Sequence, residues 1–194
     1  MDKSEKRFER DIESFLISPE GGYTQFCGQD TEGNWVHNRQ HDVAKCIYMD
    51  VLCEFIEKTQ PKEWAKYVKY YGANASEKLY HRLETTISNQ GLLYVLRNGI
   101  EDMGCKLKLC YFKPESENSS LAAERYETNI LGCTRQFRYS TANTNTIDMV
   151  LSVNGIPVVA LELKNQLTGQ DYHCAIKQFK EDRSSKEFAF RLNH

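Results

Sequence analysis

Three ionisable side chains in the second half of the chain can do hydrolytic chemistry: Asp148, Glu162 and Lys164. Two carboxylates supply the hard oxygen ligands that Mg²⁺ prefers, and Mg²⁺ needs few protein ligands because it keeps several of its waters. The backbone carbonyl of Leu163 can add another oxygen. A bound metal lowers the pKa of water and neutralises charge on a phosphate, while the lysine can orient that water or stabilise the transition state. These residues therefore indicate a metal-dependent site for phosphodiester hydrolysis.

The three side chains lie on two β-rich segments, 146–153 and 156–164, which an Asn-Gly pair joins. Asn-Gly between alternating apolar residues is a strong hairpin signal. A plain two-residue turn would put Asp148 and Glu162 on opposite faces, because a one-residue change of register inverts a strand. We therefore predict an odd-length loop or a β-bulge nearby. The alternation predicts a core face made of Ile147, Met149, Leu151, Val153, Pro157, Val159, Leu161 and Leu163.

The same three residues allow a non-catalytic interpretation. Glu162 and Lys164 can form a solvated ion pair at a strand end, and such pairs are common and contribute little to stability. Asp148 can then be an ordinary turn residue. Spacing alone leaves both interpretations open.

The wider sequence resembles the N-terminal region of the restriction (R) subunit of type I restriction enzymes. Asp148 and Glu162-Leu163-Lys164 match the short PD-(D/E)XK nuclease motif. The more specific part of the resemblance covers most of the chain: 55–56, 59–61, 64, 96–99, 111–114, 126–136, 154–157, 162–165, 167–170, 175–176, 178 and 182–183. The resemblance implies an α/β, restriction-endonuclease-like fold, with a mixed central sheet flanked by helices and an inserted helical subdomain. It also implies an endonuclease that hydrolyses double-stranded DNA with Mg²⁺.

Further site residues follow from the resemblance. An acidic residue of the first helix often approaches the metal in this fold, which makes Glu9 a secondary catalytic candidate. Gln178 matches the glutamine of a Gln-x-x-x-Tyr motif, but Asp182 stands where the tyrosine would be. Arg135 belongs to a matched segment and is a candidate phosphate contact. Alternatively, Glu9 is an exposed charge and Arg135 an ion-pair partner.

Basic residues of a predicted C-terminal helix are the remaining candidate DNA contacts. Their positive charges lie on or near one helix face, which suits a phosphate backbone but is also typical of a solvated surface. These residues are Lys177, Lys180 and Arg183.

Composition limits the classes of function. The chain has 194 residues, enough for one domain with a substantial core, and 40% of them are hydrophobic. Its formal net charge of -2 argues against a domain that binds DNA tightly by itself. No apolar run approaches the roughly 20 residues that cross a bilayer, so we predict a cytoplasmic location and no membrane partner. There is also no phosphate-binding P-loop.

Seven scattered cysteines form no Cys-x-x-Cys pair, and we interpret them as reduced core thiols. A zinc site that combines His37 and His41 with a distant cysteine is an alternative.

The predicted organisation is a single endonuclease domain over 1–194. Its nuclease core spans about 4–18 and 105–191, and a helical insertion of four helices spans about 42–98. Helical periodicity predicts a first helix over 4–16 that buries an apolar stripe of Phe8, Ile12, Phe15 and Leu16. We predict a loop with one short edge strand over 23–38, strands over 105–112 and 129–139, and helices over 120–126 and 172–182.

The resemblance also implies partners. An R subunit continues into an ATP-driven DNA-translocating motor and works with modification and specificity subunits, so ATP would act only through motor domains that this chain does not contain. Two other hypotheses stay open. One is a stand-alone PD-(D/E)XK repair or recombination nuclease. The other is a non-catalytic module whose helical region anchors a motor to its complex.

Overall fold

The fold was analysed in a computed structural model that describes residues 3–115, 120–164 and 172–177. Its α-helices are α1 (Lys3–Leu16), α2 (Met49–Thr59), α3 (Pro61–Tyr71), α4 (Ala75–Gln90), α5 (Leu92–Asn98), α6 (Ser120–Tyr126) and α7 (Tyr172–Lys177). Its strands are β1 (Thr24–Gln29), β2 (Trp35–His37), β3 (Ile100–Asp102), β4 (Cys105–Leu107), β5 (Leu131–Arg138), β6 (Thr146–Val153) and β7 (Ile156–Leu161).

Five strands form the central sheet, in the order β2-β1-β5-β6-β7. The sheet is mixed because β1 and β5 are parallel, whereas each other neighbouring pair is antiparallel. Helix α1 contacts β5, and a large apolar core joins the sheet to α2–α5. This arrangement confirms the predicted α/β class, with a mixed sheet flanked by helices.

The predicted helical region also contains its four helices. Pro61 is the first residue of α3, where its missing N–H is not needed. Gly99 follows α5 with φ at 76°, a conformation that suits glycine at a helix end. Helix α2 begins at Met49, several residues later than the apolar pattern suggests. None of the helices in the described parts of the chain has the length and apolarity to span a membrane.

Two expectations about strands are wrong. The segment 23–38 holds two strands rather than a loop with one edge strand, and β1 lies inside the sheet between β2 and β5. Phe26 of β1 is completely buried and packs edge-on against Tyr48. The segment 105–112 contributes only the short β4, which pairs with β3 outside the central sheet. In both segments the strand pairing depends on the tertiary fold, and the local composition of the sequence does not predict that pairing.

The β6–β7 hairpin confirms that a β-bulge aligns the two strands. Asn154 and Gly155 form a two-residue turn with φ of 51° and 82°, as a type I′ turn requires. Val153 pairs with Ile156, but the register shifts by one residue between Ser152 and Leu151. Because of this shift, the register that pairs Met149 with Leu161 would place Asp148 opposite Glu162, the first residue after β7. An odd-length loop is therefore not needed.

The predicted core face of this hairpin is only partly correct. Ile147, Met149, Pro157 and Leu163 are buried, but Leu151, Val153 and Leu161 are half-buried and Val159 is 41% exposed. Residues of the opposite alternation pack into or against the large core instead: Val150, Ile156, Val158 and Ala160. The reason is that the helical layer covers that face of the sheet, and the sequence alone does not say which face it covers.

The cysteine side chains that the structure describes are free thiols, as predicted. Five of these six are buried, and burial raises the pKa of Cys27 and Cys110 to about 11. Thiols of this kind are poor nucleophiles and poor metal ligands at neutral pH. The seventh side chain, Cys174, lies outside the described part.

Candidate active site

The β6–β7 hairpin brings the three predicted catalytic side chains together at the end of β7. The backbone N–H of Leu163 donates a hydrogen bond to Oδ2 of Asp148 at 2.8 Å. Nζ of Lys164 donates to Oε1 of Glu162 at 3.1 Å. Asp148 on β6 and Glu162 just after β7 are therefore each held by one donor supplied by 162–164.

The burial of these groups argues against a solvated strand-end pair. The side chains of Glu162 and Lys164 are only 3% and 14% exposed. Asp148 lies inside strand β6 rather than in a turn. Removing an ion pair from water costs desolvation energy, and such pairs are weak evidence for a purely stabilising role. The burial of this pair therefore favours a functional interpretation.

The electrostatic environment of Asp148 suits a cation ligand. Burial raises the pKa of this carboxyl, and the negative charges of Glu162 and Glu9 raise it further. The Leu163 amide and the Lys164 ammonium act in the opposite direction. A divalent cation bound between the two carboxylates would offset this crowding of negative charge.

This raised pKa predicts that Asp148→Asn stabilises the metal-free protein. A folded-state pKa above the unfolded value means that the folded state binds the proton more tightly, so stability falls as pH rises through that window. At neutral pH the ionised Asp148 is therefore destabilising. We expect Asp148→Asn to raise the free energy of unfolding in urea denaturation with a chelator present.

The expected gain disappears in acid below the ordinary aspartate pKa, where the wild-type carboxyl is protonated in both states. Asp11→Asn is a matched control, because the side chain of Asp11 is 69% exposed. It should change stability by less than about 0.5 kcal/mol. A variant that is less stable than the wild type at neutral pH would contradict charge crowding at Asp148.

Helix α1 meets the sheet with a face that is rotated from the predicted one. Glu9 and Glu13 are 1% and 4% exposed, whereas Phe8 and Phe15 are 51% and 62% exposed. The other two residues of the predicted apolar stripe are half-buried, so the prediction is wrong for its two phenylalanines. The physical reason is a buried cation on β5, which the two glutamates, one helical turn apart, reach together.

That cation is Arg135, whose guanidinium is bound by both glutamates. Nη2 and Nε donate to Oε2 of Glu9 at 2.9 and 3.3 Å, and Nη1 donates to Oε2 of Glu13 at 3.0 Å. Gln25 also donates to Glu13, from the neighbouring strand β1. Arg135 is 1% exposed. Its predicted role as a DNA phosphate contact does not fit, because the group is buried and its charge is already paired.

Glu9 lies close enough to Asp148, a candidate metal ligand, to affect its ionisation. Its charge is one of those that raise the pKa of Asp148. Both of its oxygens are engaged, since Oε1 accepts a hydrogen bond from Gln136 at 3.4 Å. This placement agrees with a first-helix acid near the site, and it favours an indirect role over metal ligation.

The predicted C-terminal candidates are mostly outside the described residues. Gln178, Lys180 and Arg183 lie there, as does Asp182. Lys177 is exposed at the end of α7, a position that allows a DNA contact. Ile176 of the same helix is 44% exposed.

The described residues offer oxygen ligands rather than a ready metal cluster. Within 3–115, 120–164 and 172–177, no three histidine, cysteine or acidic side chains form a group that could hold a metal ion. The Asp148–Glu162 pair fits Mg²⁺ nonetheless, because this ion needs only one or two carboxylates and keeps several waters. The orientation of the Leu163 carbonyl toward a metal stays a prediction.

The zinc alternative gains no support from this structure. The His41 ring packs between the Tyr48 and Phe137 rings, with centroids 5.2 and 4.4 Å away. Burial lowers the pKa of His41 to about 4. His41 is therefore a half-buried residue that packs against aromatic rings of the core.

Sequence reasoning missed Glu13 and Gln136 as parts of the site. A signal for Glu13 existed, because two glutamates four residues apart repel each other on an isolated helix and indicate a shared cation. Gln136 lay within a matched segment, but nothing local distinguished it. Its partners come from α1 and from the start of β6.

The fold and this site define an α/β protein in which a mixed sheet carries two adjacent carboxylates and a lysine. The family model described as Type I restriction enzyme R protein N terminus matches residues 7–193. The chain therefore belongs to this family, as the sequence resemblance indicated, and corresponds to the N-terminal region of a type I restriction enzyme R subunit. No curated protein and no solved structure matches the chain.

Proposed function

We propose that this chain is the Mg²⁺-dependent endonuclease domain of a type I restriction enzyme R subunit, and that it hydrolyses phosphodiester bonds of double-stranded DNA. The observation that carries the proposal is the pair of a half-buried Asp148 and a Glu162 side chain that is 3% exposed, with Lys164 beside them at the end of the bulged hairpin. Membership of the R subunit family supports the same reaction class.

The roles of the residues follow from their chemistry. Asp148 and Glu162 would hold Mg²⁺, and the Leu163 carbonyl would add a third oxygen. When bound, Mg²⁺ supplies Lewis-acid chemistry that activates water and neutralises phosphate charge. Lys164 would hold the attacking water and stabilise negative charge on the phosphate in the transition state. The hydrogen bond from the Leu163 N–H would hold the Asp148 carboxylate in place beside Glu162.

Partners and DNA contacts belong to the proposal as well. DNA would approach the end of β7, with Lys177 as a described candidate contact and Gln178, Lys180 and Arg183 as candidates outside the described residues. The overall charge of -2 supports DNA delivery by other components. Those components would be the motor domains of the same subunit, powered by ATP, and the modification and specificity subunits.

The proposal is tested by cleavage of circular plasmid DNA by the reconstituted restriction complex carrying Asp148→Asn. We expect Mg²⁺-dependent cleavage to fall by at least about 100-fold, because the variant removes a ligand charge. Mn²⁺ binding to the isolated chain, measured by calorimetry, should weaken in parallel.

Asp11→Asn provides the matched control, since it removes an exposed carboxylate from α1. It should leave both cleavage and Mn²⁺ binding unchanged. Undiminished cleavage by the Asp148→Asn complex would exclude this site as the nuclease centre and would favour a docking role for the domain.

A further inference from the structure

Gln136 combines backbone strain with an unusual position. It lies inside strand β5 with φ at 50°, a left-handed conformation that costs a non-glycine residue about 1 kcal/mol or more. The residues on either side of it pair regularly with Met149 and Ile147 of β6. Gln136 therefore lies across the ladder from Asp148, the candidate metal ligand.

The side chain of Gln136 connects two elements of the site. Its Oε1 accepts a hydrogen bond from the Thr146 hydroxyl at 2.7 Å, two residues before Asp148 on β6. Its Nε2 donates to Oε1 of Glu9 on α1 at 3.4 Å. One amide thus links the helix that carries Glu9 to the strand that carries Asp148.

Other left-handed non-glycine residues in the described ranges have simpler explanations. Asn154 belongs to the β6–β7 turn, Met103 to the β3–β4 turn, and Cys46 to a turn before α2. A turn needs this conformation to reverse the chain. A strand does not, so the strain at Gln136 calls for a different explanation.

We propose that Gln136 is a positioning residue for the hydrolytic site. Its left-handed backbone aims the side-chain amide so that it holds Glu9 and Thr146 together, and through them fixes α1 and β6 around Asp148. The inference rests on the proposed function, because it gives Gln136 a role in positioning Asp148, which the proposal makes a metal ligand. It predicts that Gln136 lowers the stability of the fold but strengthens metal binding and cleavage at the site.

The test is Gln136→Gly, which relieves the strain and removes the amide. We expect the urea midpoint of unfolding to equal or exceed that of the wild type, because glycine adopts this backbone without steric strain and the relief offsets its larger loss of conformational entropy. We expect Mn²⁺ affinity and Mg²⁺-dependent cleavage each to fall by about 10- to 100-fold, the usual effect of losing a residue that orients metal ligands. Thr146→Val, which removes the other half of the bridge, should also weaken Mn²⁺ binding.

Met103→Gly is the matched control. Met103 has the same φ of 50° and is 54% exposed in the β3–β4 turn. It should gain stability with no change in Mn²⁺ affinity or cleavage. Wild-type Mn²⁺ affinity in Gln136→Gly would overturn the positioning role, and so would a lowered urea midpoint, which would assign the residue to stability. If the wild type itself neither binds Mn²⁺ nor cuts DNA, the proposed function fails and this inference fails with it.

Discussion

Lys164→Ala is expected to lower Mg²⁺-dependent DNA cleavage by at least about 100-fold while it leaves Mn²⁺ affinity within about 3-fold of the wild type. The ammonium lies 3.1 Å from Oε1 of Glu162, and the Lys164 side chain is 14% exposed. Its removal takes away a charge that acts on the attacking water and on the phosphate, but it takes away no metal ligand. The loss should therefore fall on the chemical step rather than on metal binding.

Two measurements on the same variants separate these effects. Plasmid cleavage by the reconstituted complex gives the rate, and calorimetry with Mn²⁺ gives the affinity. Lys106→Ala is the control, because the Lys106 side chain is 81% exposed and lies on β4, outside the central sheet. Equal losses of affinity and rate in Lys164→Ala would show that the lysine mainly holds the carboxylates in place.

Arg135→Met is expected to lower the free energy of unfolding by about 3–5 kcal/mol. The substitution keeps an unbranched side chain of similar length but leaves Glu9 and Glu13 buried without their cation. Losing one partner of a buried ionic group is costly because the remaining charges have no water to solvate them. Urea denaturation, followed by circular dichroism, measures the loss directly.

The combined variant Glu9→Gln, Glu13→Gln and Arg135→Met tests that explanation. It removes all three charges, so it should recover at least half of the lost stability. Arg7→Met is a matched control, because Arg7 is 80% exposed in a weak pair with Asp11. If the combined variant is no more stable than Arg135→Met, packing of the arginine rather than charge balance holds α1 on the sheet.

Charged side chains join the central sheet to α1. Arg135, Glu9 and Glu13 attach the helix through ion pairs, and Gln136 extends this network to the strand of Asp148. The same helix presents Phe8 and Phe15 outward. The amphipathic pattern of α1 therefore served as a correct signal for a helix but not for the face that the helix buries.

Local chemistry in the sequence determined much of this protein. The Asn-Gly pair determined the hairpin turn, Pro61 and Gly99 marked helix ends, and the need to align Asp148 with Glu162 required a bulge that is present. Each of these features depends on neighbouring residues or on the alternation of a single strand. Short-range steric preferences and side-chain periodicity are sufficient to predict such features.

Only the tertiary structure decided which faces are buried and which charges meet. Arg135 reaches Glu9 and Glu13 across separations of 126 and 122 residues. β1 likewise finds its place beside β5 more than half the chain away, and Gln136 takes a strained backbone because α1 and β6 converge on it. Such outcomes depend on the balance between desolvating a group and the partner that the whole fold supplies, and no local window of the sequence contains that partner.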